Sequence, residues 1–139
     1  MEKNKINDCK IQKFTKIHDD TGNLIVIENE DILNYEIKRV YYLYDIPGGV
    51  VRGGHAHKKL YETLISVMGS FDVIIDDGKQ RKKISLNRSD IGLKIVPGIW
   101  RELNNFSSGA ICLVLASANY CEEDYIRDYN EYEVIVNDK

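Results

Sequence analysis

The sequence predicts an all-β domain, an antiparallel β-barrel ending in a short C-terminal helix or tail. Three observations lead there. Short runs rich in β-branched and aromatic residues are separated by turn clusters at nearly even intervals, the pattern of a sandwich or small barrel. Asp77-Gly78 lies between two such runs, and Asp-Gly suits the positive φ of a tight hairpin. The stretch from Gly49 to Gly69 reads G-x5-H-x-H-x4-E-x6-G, with Gly49, His55, His57, Glu62 and Gly69 at the fixed positions. Side chains alternate along a strand, so His55 and His57 point the same way.

In chain order, residues 1–10 read as a flexible or strand-exchanging start, and Ile11 to Phe14 as the beginning of a strand. Asp19 to Asn23 is a turn cluster. Leu24 to Glu28 reads as a short, mostly buried strand, and Asn29 to Asn34 as a loop. Ile37 to Tyr44 is β-rich, with Ile37, Arg39, Tyr41 and Leu43 on one face and Lys38, Val40, Tyr42 and Tyr44 on the other. Pro47-Gly48-Gly49 turns the chain into a strand from Val51 to His57, with Val51, Gly53, His55 and His57 on one side. Gly53-Gly54 removes bulk where a ligand can approach the backbone.

Leu60 to Val67 is strand-like and bends at Met68-Gly69-Ser70. Phe71 to Ile75 and Lys83 to Leu86 flank the Asp-Gly hairpin. Asn87 to Asp90 turns again, Gly92 to Val96 is a strand ended by Pro97-Gly98, and Gly109 to Ala116 is a fully apolar strand. From Cys121 onward an acidic segment predicts a short helix or extended tail over the barrel mouth.

The chain of 139 residues is one ordinary domain, with no internal repeat or linker. Hydrophobic residues make up 43%, too many for disorder. The net charge of −3 provides no basic field for nucleic acid, so an anionic ligand needs local arginines. No apolar run approaches a membrane span or a signal-peptide core. Cys9, Cys112 and Cys121 form no C-x-x-C pair and read as reduced thiols of a cytoplasmic protein, with Cys112 in the core.

Two imidazoles on one strand face make either a metal site or an acid–base site. His55, His57 and Glu62 supply three ligands for a metal. The Gly49 to Gly69 spacing resembles the first motif of the cupin superfamily, and that resemblance implies a fourth ligand from a second motif, around Gly92 to Asn105, where Trp100-Arg101-Glu102 stands instead of a histidine and an arginine repels a divalent ion. The acid–base reading places the histidines in a cavity beside Arg39, Tyr41 and Arg52. Histidine moves protons near neutral pH. Arginine holds phosphate with its planar fork, and aromatics stack on a base or sugar. That set suits a phosphorylated or nucleotide-linked sugar.

The cupin resemblance implies an antiparallel jelly-roll barrel. Nearly the whole chain resembles the cupin dTDP-4-dehydro-6-deoxyglucose 3,4-ketoisomerases. The resemblance rests on Gly22-x-Leu24, Ile37 to Tyr42, Arg52-Gly-x-His-x-His-Lys-Lys-Leu60, Asp76-Asp-Gly78, Gly92-Leu93, Pro97-x-x-Trp100, Asn105-Phe-Ser107, Val114 to Ser117 and Asp124-Tyr-Ile-Arg-x-Tyr129. It implies a cofactor-free isomerase without a metal, a homodimer exchanging N-terminal strands (residues 1–20 here), and a place in deoxy-aminosugar synthesis for surface polysaccharide or glycoprotein. Alternatives are a nucleotide-keto-sugar epimerase, or a metal-dependent or ligand-binding cupin.

The H-x-H motif of the family implies a catalytic pair, with His57 expected as the base and His55 as second proton carrier or orienter. Tyr41 is expected to donate to the developing oxyanion. Arg39 and Arg52 are expected to hold the diphosphate, with Arg101 and Lys58 as further substrate contacts, and Trp100 to pack at the barrel mouth. Two departures stand out. Arg101 takes a position where the family often has histidine, near the sugar, where it would bear on the face of C4 reprotonation. Glu62 stands where glutamine is expected, and a carboxylate there keeps the metal alternative open.

Overall fold

The computed structural model describes residues 1–28 and 32–138, so the Asn29 to Asn34 loop lies partly outside the described residues. Among the described residues, twelve strands run in chain order, antiparallel throughout: β1 Lys10–Lys13, β2 Lys16–Asp19, β3 Gly22–Ile25, β4 Arg39–Leu43, β5 Arg52–His57, β6 Glu62–Met68, β7 Phe71–Asp76, β8 Arg81–Leu86, β9 Ile91–Ile95, β10 Trp100–Asn104, β11 Ile111–Ala116 and β12 Tyr125–Ile126. Among the described residues one α-helix, α1, spans Tyr129–Asn137.

Two five-stranded sheets carry the barrel, in the orders β1-β9-β6-β11-β4 and β12-β5-β10-β7-β8. Their inner faces bury Leu64, Val73, Ile75, Leu93, Ile95, Leu103 and Val114. These come from the alternate positions of strands whose period of two turns one apolar set inward. Gly78 adopts φ 89° in the β7–β8 hairpin, as the Asp-Gly pair predicts.

A second apolar cluster lies on the outer face of the first sheet, where Phe14, Leu33 and Tyr35 cover Ile65 and Leu115. A third lies outside the second sheet, where Tyr132 of α1 and Ile126 close over Ala56 and Trp100. Asp128 caps α1 by accepting from the Glu131 N–H. The Tyr132 hydroxyl reaches the carbonyls of Asp76 and Gly98 at 2.9 and 2.8 Å, tying the helix to β7 and the β9–β10 turn. The C-terminal segment is thus a short turn, a strand added to β5, and a helix on the outside of the barrel.

Several expectations are corrected. The first residues are not flexible: Ile6 to Asp8 form a 3₁₀ turn, Ile6 is buried, and within the single chain β1 pairs with β9, a pairing that bears on flexibility and not on exchange with a second copy. The expected buried strand at Leu24 to Glu28 is an exposed one shifted to Gly22–Ile25, forming a free-standing hairpin with β2 in which Leu24 is 56% exposed. β10 was not foreseen at all. Its sequence, WRELN, turns Arg101 inward and Glu102 toward the outer side, so the charges hide the alternation. Trp100 packs against Tyr129 and Tyr132 beneath α1, not at the barrel mouth.

Candidate active site

The open end of the barrel holds a cavity of about 340 Å³ lined from five strands and the segment after β12. β4 contributes Arg39, Tyr41 and Leu43, the face read from alternation. β6 contributes Glu62 and Leu64, β10 contributes Arg101 and Leu103, and β5 contributes Arg52, Gly53 and His55. Tyr125 and Arg127 come from the C-terminal segment.

Strict alternation would turn Arg52 away from His55. The register explains why it does not: Arg101 pairs with His55 but Leu103 pairs with Arg52, so β5 has one extra residue opposite β10. This is a β-bulge with Gly53 at φ 71°. The extra residue returns Arg52 to the side of His55. A Cβ on Gly53 would lie 2.9 Å from Leu103 Cδ1 and would force positive φ on an L-residue. We therefore expect Gly53→Ala to cost at least ~1 kcal/mol and to raise KM as Arg52 swings off the cavity. An unchanged KM in a folded variant would show that the bulge does not position Arg52.

His55 lines the cavity and its Nε2 is buried without a partner. Burial, with the guanidiniums of Arg101 and Arg127 nearby, pushes its pKa down to about 3, so the ring is neutral with a bare lone pair. His57 is fully buried and does not line the cavity. Its Nδ1 is 3.0 Å from Asp124 Oδ2 and its Nε2 is 3.5 Å from Glu62 Oε1. Burial and the Arg101 charge hold it below the usual imidazole range. The two rings meet edge to face at 4.8 Å, and Tyr125 packs on both.

Behind them sits a buried polar cluster. Arg101 Nη1 donates to Glu62 Oε1 at 2.6 Å, and the Tyr41 hydroxyl donates to Glu62 Oε2 at 2.6 Å. Burial beside that carboxylate pushes the Tyr41 phenol well above its ordinary value, so it stays protonated and a donor. Donor atoms of His55, His57 and Glu62 lie within 4.8 Å of one another, close enough in principle for a cation. The donor set argues otherwise, because both Glu62 oxygens are already taken and one of them faces a guanidinium that would repel a metal.

At the rim the Arg39 guanidinium lies over the rings of Tyr41 and Tyr120 at 5.4 and 5.8 Å, and its Nε is buried without a partner. Arg127 lies over Tyr125 at 4.1 Å and donates to Glu122. Of the residues expected from sequence, His55, Tyr41, Arg39, Arg52 and Arg101 line one cavity. His57 lies behind them, and Lys58 is exposed and outside the lining, so its side chain does not join the site.

A family model described as "WxcM-like, C-terminal" (FdtA) matches residues 7–137. The chain belongs to the FdtA family. Within it, the chain is 44% identical over 124 residues to the TDP-4-oxo-6-deoxy-α-D-glucose-3,4-oxoisomerase of Aneurinibacillus thermoaerophilus, covering 89% of each. A 3,4-ketoisomerase from Helicobacter canadensis superposes with TM-score 0.92 at 49% identity, covering 94% of this chain and 98% of that one. A histidine-to-asparagine mutant of the 3,4-ketoisomerase QdtA from Thermoanaerobacterium thermosaccharolyticum, in complex with TDP-4-keto-6-deoxyglucose, superposes with TM-score 0.90 at 39% identity, covering 92% and 93%. An FdtA-family barrel thus presents a neutral, unpartnered imidazole to a cavity edged with arginines.

The sequence reading missed Asp124, Tyr125 and Arg127 as site residues. The spacing of two between Tyr125 and Arg127 carries both to one side of an extended segment, a signal masked by the acidic run before them.

Proposed function

We infer that the chain is a nucleotide-sugar 3,4-ketoisomerase that moves the carbonyl of a dTDP-linked 4-keto-6-deoxyglucose from C4 to C3. The observation that carries this reading is His55: a neutral base with an unpartnered nitrogen, facing a cavity rimmed by Arg39, Arg52 and Arg127. The arginines fit a diphosphate, and the imidazole fits an acidic C–H beside a ketone.

The hydrogen on C3 is acidic because its loss gives an enediolate. His55 takes that proton, which reverses the sequence-based expectation that His57 is the base. The reason is access, since His57 is fully buried behind it. For Tyr41 to donate toward the oxygen on C4, where negative charge develops, its O–H must turn away from Glu62 Oε2 when the sugar binds. A proton returns to C4 and the carbonyl forms at C3. C3 and its oxygen each lose one hydrogen, and C4 and its oxygen each gain one. Burial first, then the Arg101 and Arg127 charges, hold the His55 pKa down, and a diphosphate beside Arg127 would offset the last of these.

A homodimer fits the surface. The β2–β3 hairpin exposes Ile17 and Leu24, and the outer face of β4 exposes Val40 and Tyr42. These exposed apolar residues suit a second copy receiving the N-terminal strands. Among the described residues no helix is long and apolar enough to cross a membrane, and the cysteines are free thiols, which suits the cytoplasm. The product would feed deoxy-aminosugar synthesis for surface glycans such as O-antigen lipopolysaccharide or S-layer glycan.

The test is incubation with dTDP-4-keto-6-deoxyglucose in the presence of EDTA, with the product read by NMR. We expect a 3-keto sugar formed at an undiminished rate. Inversion at C3 with the carbonyl still on C4 would make the chain an epimerase, and loss of activity with the chelator would make it metal-dependent.

A further inference from the structure

We propose that Asp124 is a positioning residue that fixes the tautomer of His57, leaving His57 Nε2 as a bare acceptor beside His55. The proposal rests on the isomerase reading for its kinetic consequence but not for its structural one.

Asp124 lies in the C-terminal segment, where β12 pairs with β5 and sets Tyr125 opposite His57. Its carboxylate is pinned twice: Oδ1 accepts the Lys59 N–H at 2.8 Å, and Oδ2 lies 3.0 Å from His57 Nδ1. Its backbone carbonyl also accepts the Lys58 N–H at 2.9 Å. An ionised carboxylate only accepts hydrogen bonds, so His57 Nδ1 carries the proton. His57 Nε2 is then a lone pair, buried and without a donor. Glu62 Oε1, 3.5 Å away, is itself an acceptor already occupied by Arg101.

An orphaned buried acceptor is costly unless something uses it. The group beside it that gains a proton is His55, whose ring packs edge to face against His57. When His55 has taken the C3 proton, the imidazolium can donate an N–H to His57 Nε2 and be held in place by a charge-assisted hydrogen bond. In the opposite tautomer His57 would present an N–H, and two donors would face each other. Asp124 thus acts on the reaction through His57, touching no substrate.

Asp124→Asn separates this role from simple packing. The Lys59 N–H keeps the Asn oxygen on its own side, so the amide nitrogen is turned to His57 Nδ1, which must become the acceptor. The proton then moves to Nε2, where Glu62 can receive it. Long-range ¹H–¹⁵N NMR on histidine-labelled protein reads the tautomer directly. We expect Nδ1–H at His57 in the unmodified chain, Nε2–H in Asp124→Asn, and Nδ1–H restored in Asp124→Glu. In turnover we expect kcat to fall by ~10²–10⁴-fold in Asp124→Asn, with KM little changed and partial recovery in Asp124→Glu. Nε2–H at His57 in the unmodified chain overturns the proposal without any variant. So does an Asp124→Asn protein that keeps its tautomer, or one that switches tautomer at full kcat. Failure of the unmodified chain to isomerise the keto-sugar would remove the functional reading while the tautomer still decides what Asp124 does.

Discussion

His55→Asn is expected to lower kcat by ~10²–10⁴-fold while the melting temperature stays close to that of the unmodified chain. The residue is partly exposed on the cavity wall, and its Nε2 has no partner to lose. Asparagine removes the basic nitrogen but fills most of the space. Substrate affinity should survive, because Arg39, Arg52 and Arg127 are untouched. His57→Asn behaves differently. It breaks the bond to Asp124 in a fully buried position, so it should cost stability as well as activity. Calorimetry and steady-state kinetics on the two variants distinguish a base on the cavity wall from a supporting ring behind it. Near-full turnover in His55→Asn would mean that His55 is not the base.

Arg101→Ala is expected to destabilise the fold by about 3–5 kcal/mol, because it strands a carboxylate in the interior. Arg101 and Glu62 are each only 1% exposed and share a 2.6 Å contact. A surface ion pair would cost at most about 1 kcal/mol on the same substitution. Urea unfolding at neutral pH measures the difference, and a loss below about 1 kcal/mol would show that water reaches the pair. The double variant Arg101→Met with Glu62→Gln should recover much of the loss, since no buried charge is left unpaired.

That pair also unifies the two departures noted from sequence. Arg101 and Glu62 are a guanidinium and a carboxylate joined across β10 and β6. Read separately, Glu62 suggested a metal ligand and Arg101 a substrate contact. Together they neutralise one another and support Tyr41. Residues far apart in sequence gave no sign of this, because it depends on which strands face each other across the barrel.

Much else was legible. The inward set Arg39, Tyr41 and Leu43 follows from alternation alone, and the β7–β8 hairpin from Asp77-Gly78. The barrel follows from short strands between regular turns. Alternation failed where the chain breaks its own period: the bulge at Gly53 brings Arg52 to the face of His55, and β10 hides an inward arginine among outward charges. Alternation also could not separate His55 from His57. They share a side of β5, but one lies at the cavity and the other under the C-terminal segment. The Leu24 to Glu28 segment read as buried because four apolar residues run together; Leu24 and Val26 are exposed, while Ile25 and Ile27 pack against the outer cluster.

The most direct test of the account is exchange of the C3 hydrogen of dTDP-4-keto-6-deoxyglucose, followed by NMR in D₂O with the unmodified chain and with His55→Asn. The account predicts isomerisation with proton transfer at C3 in the first, and a C3 hydrogen that stays in place in the second although the sugar still binds. Exchange at the unmodified rate in His55→Asn would contradict it.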